Sequence, residues 1–298
     1  MRRFIALVAV LAVAGCSNGS RASGPADTRI PVVATTTVFA DLVRSVGGDL
    51  VKVDSLVPKG GDVHTFDPRP SDAGRLEDAR LVVANGLGLD DWLASLAKDS
   101  GTKADMLHLA DSVAPDAYIV EDGIPNPHLW LDPSGAAAYA GAIAESLSRL
   151  DPGHAATYAA NNAAFGARLD GLRTWGADLV AAVPQDRRTL ISFHDALPYF
   201  ARAYGVEIAG VIVKSPGQDP SAADIAGLVT AIRANDVRVV VSEVQFSDKL
   251  ARTVAAETGA TIVSDIYDDS LGDPPVDSYE GLVRYDLERL VAGLKGSG

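Results

Sequence analysis

Between Asp151-Pro152 and Pro184 the chain carries no proline, is rich in alanine, and sets Phe165, Leu169, Leu172, Trp175 and Leu179 at helical spacing. Aspartate is a good N-cap and proline suits the first turn, while the second proline ends the helix because it lacks an amide hydrogen. About 30 helical residues reach roughly 45 Å, more than a crossover between two strands of one sheet requires. A helix of that length divides whatever surrounds it, so residues 151–183 are expected to form a rigid spine joining two bodies.

The 298 residues exceed the size at which one hydrophobic core usually stops growing, and a 47% hydrophobic content excludes a disordered chain. On both sides of the spine, β-branched runs alternate with amphipathic segments, the pattern of βαβ units on a parallel sheet. Before it, strands are expected at Pro31–Thr36, Val51–Val57, Leu81–Ala84 and Lys103–Leu109, with helices at Phe39–Val46, Ser71–Asp78, Asp90–Lys98 and Ser134–Leu150. After it, strands are expected at Thr189–Phe193, Glu207–Val213, Val237–Ser242 and Thr261–Ser264, with helices at Ala196–Tyr204, Ser221–Ala234, Ser247–Thr258 and Ser278–Leu294. Ser221 followed by Asp224 reads as a helix start. The expected fold class is α/β, with two domains (29–150 and 184–298), each a mostly parallel sheet flanked by helices.

The first residues read as an address. Arg2-Arg3 precedes the apolar run Phe4–Ala14, too short for a membrane helix of about 20 residues but suited to a secretory signal. Val13-Ala14-Gly15-Cys16 resembles a bacterial lipobox, so residues 1–15 are expected to be removed and Cys16 lipidated. Residues 16–28, rich in Gly, Ser and Ala, form the expected tether. Cys16 is the single cysteine, so no disulfide can form within the chain. Thirty-nine acidic against 26 basic residues give a net charge of −13, which argues against a nucleic-acid partner.

The chain has no H-E-x-x-H, C-x-x-C or Walker motif, and its G-x-S-x-G match at Gly15–Gly19 lies in the signal and tether, away from any strand-to-helix turn. The histidines are more informative. His64, His128 and His194 each sit beyond an expected strand or in a loop entering a helix, where open α/β sheets bind ligands. His108 alternates within a strand and His154 opens the spine, and both have bland roles. Asp132-Pro133 and Asp67-Pro68 are expected to shape loops and cap the helices that follow.

Five ordered stretches then carry a resemblance: Gly61-Asp62-Val63-His64-Thr65-Phe66-Asp67-Pro68, Asn126-Pro127-His128-Leu129-Trp130-Leu131-Asp132-Pro133, Ser192-Phe193-His194-Asp195-Ala196-Leu197-Pro198, Ser242-Glu243-Val244-Gln245-Phe246 and Asp268-Asp269-Ser270-Leu271-Gly272. With the spine, they make the chain similar to the metal-specific class of bacterial solute-binding proteins, the ABC-importer receptors for zinc and manganese. The resemblance covers nearly the whole mature sequence and implies metal ligands at His64, His128, His194 and Asp269, with Glu243 beside the site. Asp269 is preferred to Asp268 by the Asp-Ser-Leu-Gly register, with Asp265 a third candidate.

Three imidazoles and one carboxylate suit a borderline cation such as Zn2+. Manganese receptors in the family tend to carry a carboxylate where this chain has His194, which points to zinc, with Mn2+ as the alternative. The stretch Pro115–Pro127 lacks the His-rich insertion of many zinc receptors. The expected function is therefore that of an exported, lipid-anchored monomer, not an enzyme. It captures zinc between two domains, the spine permitting only small tilts, and delivers it to an ABC permease. A zinc hydrolase is the alternative of another class, disfavoured if Asp269 completes a four-ligand shell. Ordinary imidazole titration predicts that affinity falls between about pH 6.5 and 5.

Overall fold

The computed structural model describes residues 27–214, 216–218 and 220–296. The expected signal 1–15, Cys16 and nearly all of the tether 16–28 lie outside the described residues.

The first half runs β1 (Ile30–Ala34), α1 (Thr37–Gly47), β2 (Val51–Ser55), α2 (Pro70–Glu77), β3 (Leu81–Ala84), α3 (Trp92–Ser100) and β4 (Asp105–His108). A short hairpin follows, β5 (Val120–Glu121) with β6 (Ile124–Pro125), then α4 (Pro133–Leu150) and the long α5 (Ala155–Ala181). The second half runs β7 (Thr189–His194), α6 (Pro198–Tyr204), β8 (Glu207–Val213), α7 (Ala222–Ala234), β9 (Val239–Glu243), α8 (Lys249–Thr258), β10 (Thr261–Ile266) and α9 (Tyr279–Lys295).

The two four-stranded sheets are entirely parallel and share one topology, β2-β1-β3-β4 and β10-β9-β7-β8. In each, the chain leaves the first strand in one direction and returns on its other side, which makes a switch point where loops diverge. Strand β3 is buried at every position and β9 likewise, because helices cover both faces.

The N-terminal starts of the helices are written locally. Thr36 caps α1 through Phe39 N–H, Asp132 caps α4 through Ser134 N–H, and Ser221 with Asp224 forms a reciprocal capping box on α7. Asp67-Pro68 does not cap a helix: α2 starts at Pro70, and Asp72 accepts from Arg69 N–H at 2.7 Å. The hairpin was not expected, although its turn, Asp122-Gly123 with φ of +49° and +82°, is the strongest short hairpin signal there is.

Helix α5 has 27 residues and is shorter at both ends than 151–183: Pro152–His154 form a separate 3-10 turn before it, and it ends at Ala181. It packs on α4, α1 and α9. Its buried face is Tyr158, Phe165, Leu169, Leu172, Gly176 and Val180, while Trp175 lies under the Arg284 guanidinium. Gly176 is required by close approach: a Cβ there would lie 2.5 Å from the Tyr204 ring and 2.6 Å from Leu287. One apolar cluster runs from Ile30 and Leu42 through Phe165 and Leu172 to Tyr204 and Leu287, so both halves share a continuous core across the spine. A separate cluster, with Ile191, Val240 and Val254, fills the outer side of the second sheet. Among the described residues no helix is long and apolar enough to cross a membrane.

Candidate metal centre

Three histidines converge, two from loops and one from a strand end. His64 follows β2 in a loop held by Asp62, which accepts from His64 N–H at 2.9 Å, and by Trp92, whose indole donates to the Val63 carbonyl at 2.9 Å. His128 precedes the 3-10 turn Leu129–Leu131 that leads into α4. His194 is the last residue of β7, and Glu243 the last of β9, its neighbour in the sheet. Asp269 follows β10 in a segment held by Trp130, whose indole donates to the Asp268 carbonyl at 2.9 Å.

The Nε2 atoms of His64 and His128 are 3.2 Å apart, and those of His128 and His194 are 3.4 Å apart. Asp269 places Oδ2 3.5 Å from His64 Nε2 and Oδ1 3.7 Å from His128 Nε2. One donor atom from each of these four residues falls within 4.8 Å of the others. The His194, His128 and Asp269 side chains are 1%, 3% and 0% exposed, whereas His64 is 16% exposed and marks the open side.

The Nδ1 atoms of His128 and His194 face polar groups behind the centre. His128 Nδ1 lies 3.0 Å from Asn126 Oδ1, and the Asn126 amide donates to Asp195, at 2.7 Å to its carbonyl and 3.0 Å to its carboxylate. With the amide oriented that way, Nδ1 carries the hydrogen and Nε2 presents its lone pair to the centre. His194 Nδ1 faces Glu243 Oε2 at 3.3 Å and Asp268 Oδ2 at 3.6 Å. Asp268 is fixed by the Asp269 amide and by Gln245 Nε2, both at 2.6 Å from Oδ1.

Lone pairs converging at such distances repel unless a cation or proton lies between them. Burial and the charge of His194 push His64 down to about 4, and the same two causes hold His128 well below the usual imidazole range. Burial would also lower His194, but the Glu243, Asp268 and Asp269 carboxylates outweigh it and raise the ring to about 10. Burial raises Asp268 to about 7, and burial with the Asp268 charge holds Asp269 well above the carboxylate range. Among the described residues, Asp269 Oδ1, Asp268 Oδ2, Glu243 Oε2 and His194 Nδ1 find no hydrogen-bond partner. Such a group of buried, underserved acids and imidazoles is a poor structural core and a good cation receptor.

Gly135, in the first turn of α4, controls the His128 loop. A Cβ there would lie 2.2 Å from the Leu129 carbonyl oxygen, which is backbone and cannot swing aside. Gly135→Ala is expected to cost about 1–3 kcal/mol of stability and to weaken metal binding. Thermal unfolding and metal titration check this; wild-type behaviour in both would show that the loop shifts freely.

The other expectations fall elsewhere. Asp265 is exposed, and the second donor group, His194 with Glu243 and Asp268, lies behind the first. His108 ends the edge strand β4, and His154 is exposed and pairs with Asp151 at 2.7 Å. Sequence reasoning missed Asn126 and Gln245. Asn-Pro before His128 is a turn-initiating dipeptide and could have marked Asn126; nothing local marks Gln245.

A family model described as ZnuA, zinc-uptake complex component A periplasmic, matches residues 32–293. The chain belongs to this family. Its members are substrate-binding proteins of ABC importers, not enzymes, and this chain is a metal-binding, extracytoplasmic substrate-binding protein of an ABC transporter. It is 27% identical over 295 residues, 98% of this chain and 97% of the relative, to the manganese-binding lipoprotein MntA of Halalkalibacterium halodurans. Its fold matches the periplasmic zinc binding protein TroA of Treponema pallidum at a TM-score of 0.83 and 25% identity, over 89% of this chain and 99% of that one. A cadmium-bound periplasmic metal binding protein of Candidatus Liberibacter asiaticus matches at 0.80 and 26%, with the same coverages. ZnuA-family kinship thus fixes a divalent metal as cargo without choosing the ion.

Proposed function

We propose that the chain captures zinc with His64, His128, His194 and Asp269 and delivers it to the permease. Glu243 orients His194 from behind, and lipid on Cys16 holds the protein at the membrane surface. The single observation that carries the choice of ion is the spacing of the donors. A tetrahedral zinc with bonds of about 2.0–2.1 Å sets its ligand atoms about 3.3–3.4 Å apart. The two Nε2–Nε2 separations, 3.2 and 3.4 Å, match that spacing, and Asp269 comes within 3.5 Å of His64 through Oδ2 and 3.7 Å of His128 through Oδ1, so either of its oxygens lies close enough to complete the set. The N3O composition supports the same reading, since harder ions such as manganese take oxygen-rich, higher-coordinate sites.

His64 and His128 come from the first half, His194 and Asp269 from the second, so metal closes the cleft between 29–150 and 184–298 about the spine 151–183. The continuous core through α5 limits that closure to small tilts. One chain supplies all four donors, consistent with a monomer.

The test is metal analysis of the exported protein isolated without chelator, with X-ray absorption of the bound ion. Four-coordinate zinc near one per chain is expected; manganese in its place would overturn the choice of ion. His194→Glu exchanges an imidazole for a carboxylate and is expected to lower the zinc-to-manganese affinity ratio at least about tenfold. An unchanged ratio would mean that selectivity does not reside at His194.

A further inference from the structure

Asp268 and Asp269 are adjacent, fully buried carboxylates that must point in different directions, one behind His194 and one into the centre. The side chain between them is Gln245. Its Nε2 donates to Asp268 Oδ1 at 2.6 Å and reaches Asp269 Oδ2 at 3.5 Å. The two Asp269 oxygens are therefore unequal: Oδ2 is shared between the Gln245 amide and the His64 side, while Oδ1 has no hydrogen-bond partner. Both oxygens nevertheless face imidazoles, at 3.5 and 3.7 Å, so the carboxylate could offer a cation either one oxygen or two.

That choice sets the coordination number. One oxygen with three imidazoles makes a four-coordinate shell, which zinc favours; two make five donors and leave room for water, which harder ions prefer. An amide N–H directed at Oδ2 takes lone-pair density away from any ion on that side. We propose that Gln245 is a specificity-determining positioning residue: its amide restrains Asp269 to one oxygen and thereby favours zinc over manganese. The idea rests on the four-ligand reading of the site and assigns a role to a residue outside that shell. Gln245 Oε1 is buried without a partner, so nothing else anchors this amide and its two carboxylate contacts account for its presence.

The test uses the full mature chain with Gln245→Met, which keeps length and loses the amide, and Gln245→Ala, which removes the donor without adding a charge. Zinc and manganese affinities are measured by chelator competition, and X-ray absorption counts the ligands of bound zinc. The expected result for both variants is a zinc affinity about 10–100-fold lower, as for residues that orient ligands. Manganese falls less than about threefold, and the zinc shell gains an oxygen. Equal losses for both metals, or an unchanged ratio and shell, overturn the proposal. If Gln245→Met fails to fold, as judged by thermal unfolding without metal, Gln245→Ala decides alone. A wild-type chain found to prefer manganese removes the zinc reading, but the direction of the shift in the ratio still tests the amide.

Discussion

Asp269→Ala lowers zinc affinity by at least about 100-fold while leaving the metal-free chain as stable as the wild type, or more so. The carboxyl is fully buried, its Oδ1 has no hydrogen-bond partner, and burial together with Asp268 holds it well above its ordinary range. An acid raised in this way is uncomfortable in the metal-free protein, so removing it relieves that state. In the metal-bound protein the same carboxylate is the only anionic member of the four-donor set. Its loss leaves a divalent charge buried among three neutral rings. Removing one partner of a buried ion pair typically costs about 3–5 kcal/mol, and about 1.4 kcal/mol is tenfold in affinity. Isothermal titration and thermal unfolding of the variant measure the two effects, and Asp269→Asn, nearly isosteric and neutral, controls for the cavity. An affinity within about threefold of wild type in both variants would remove Asp269 from the shell and leave three imidazoles as the protein's donors.

Zinc affinity climbs at least about tenfold per pH unit between pH 7 and 9, with one or more protons released per ion bound. His194 supplies one, and Asp269, held well above the carboxylate range by burial and the Asp268 charge, adds to it. The carboxylates behind His194 outweigh its burial and raise it to about 10, so in the metal-free chain the ring carries a proton throughout this window. Ligation needs Nε2 free, and the ion must displace that proton. Asp268, raised by burial to about 7, ionises at the lower edge and strengthens the climb. His64, pushed down to about 4, takes up its proton only in strong acid. The fall between pH 6.5 and 5 expected of ordinary imidazoles is thus replaced by a dependence that extends above neutrality. For the metal-free fold the sign is opposite: a ring raised above its unfolded value stabilises below about pH 6.5, and that contribution disappears as pH rises through about 10. Chelator competition at pH 7, 8 and 9, with calorimetry in buffers of different ionisation enthalpy, measures affinity and proton release. Flat affinity across the window would mean that His194 is already neutral before metal arrives.

The legibility of the fold varied with the range of the interactions involved. Strands such as Leu81–Ala84 and Glu207–Val213 were readable because both their pattern and their boundaries are local, and so was the Ser221–Asp224 capping box. Strand and helix ends that depend on a neighbour moved by a few residues, as at β2, which ends at Ser55, and at α3, which begins at Trp92. The Asp122-Gly123 hairpin is legible in principle, since its turn chemistry is local.

For the site, His64, His128 and His194 could be named because each stands beyond a strand or before a helix, where an α/β sheet gathers its loops, and because the surrounding stretches resemble a metal-receptor family. What ordering along the chain could not convey is separation in space and electrostatic environment. The 3.2–3.5 Å convergence of the imidazoles and Asp269 depends on two sheets and a shared core. So do the Asn126 contact that sets the His128 tautomer and the three acids that hold a proton on His194. Residue type and order determined the α/β fold class and the kinship to a family of metal receptors, because periodicity, caps and ordered stretches are properties of residues and their near neighbours. Which oxygen, which ring nitrogen and which protonation state face the candidate centre depends on the tertiary structure, because those follow from burial and from charges brought together from distant parts of the chain.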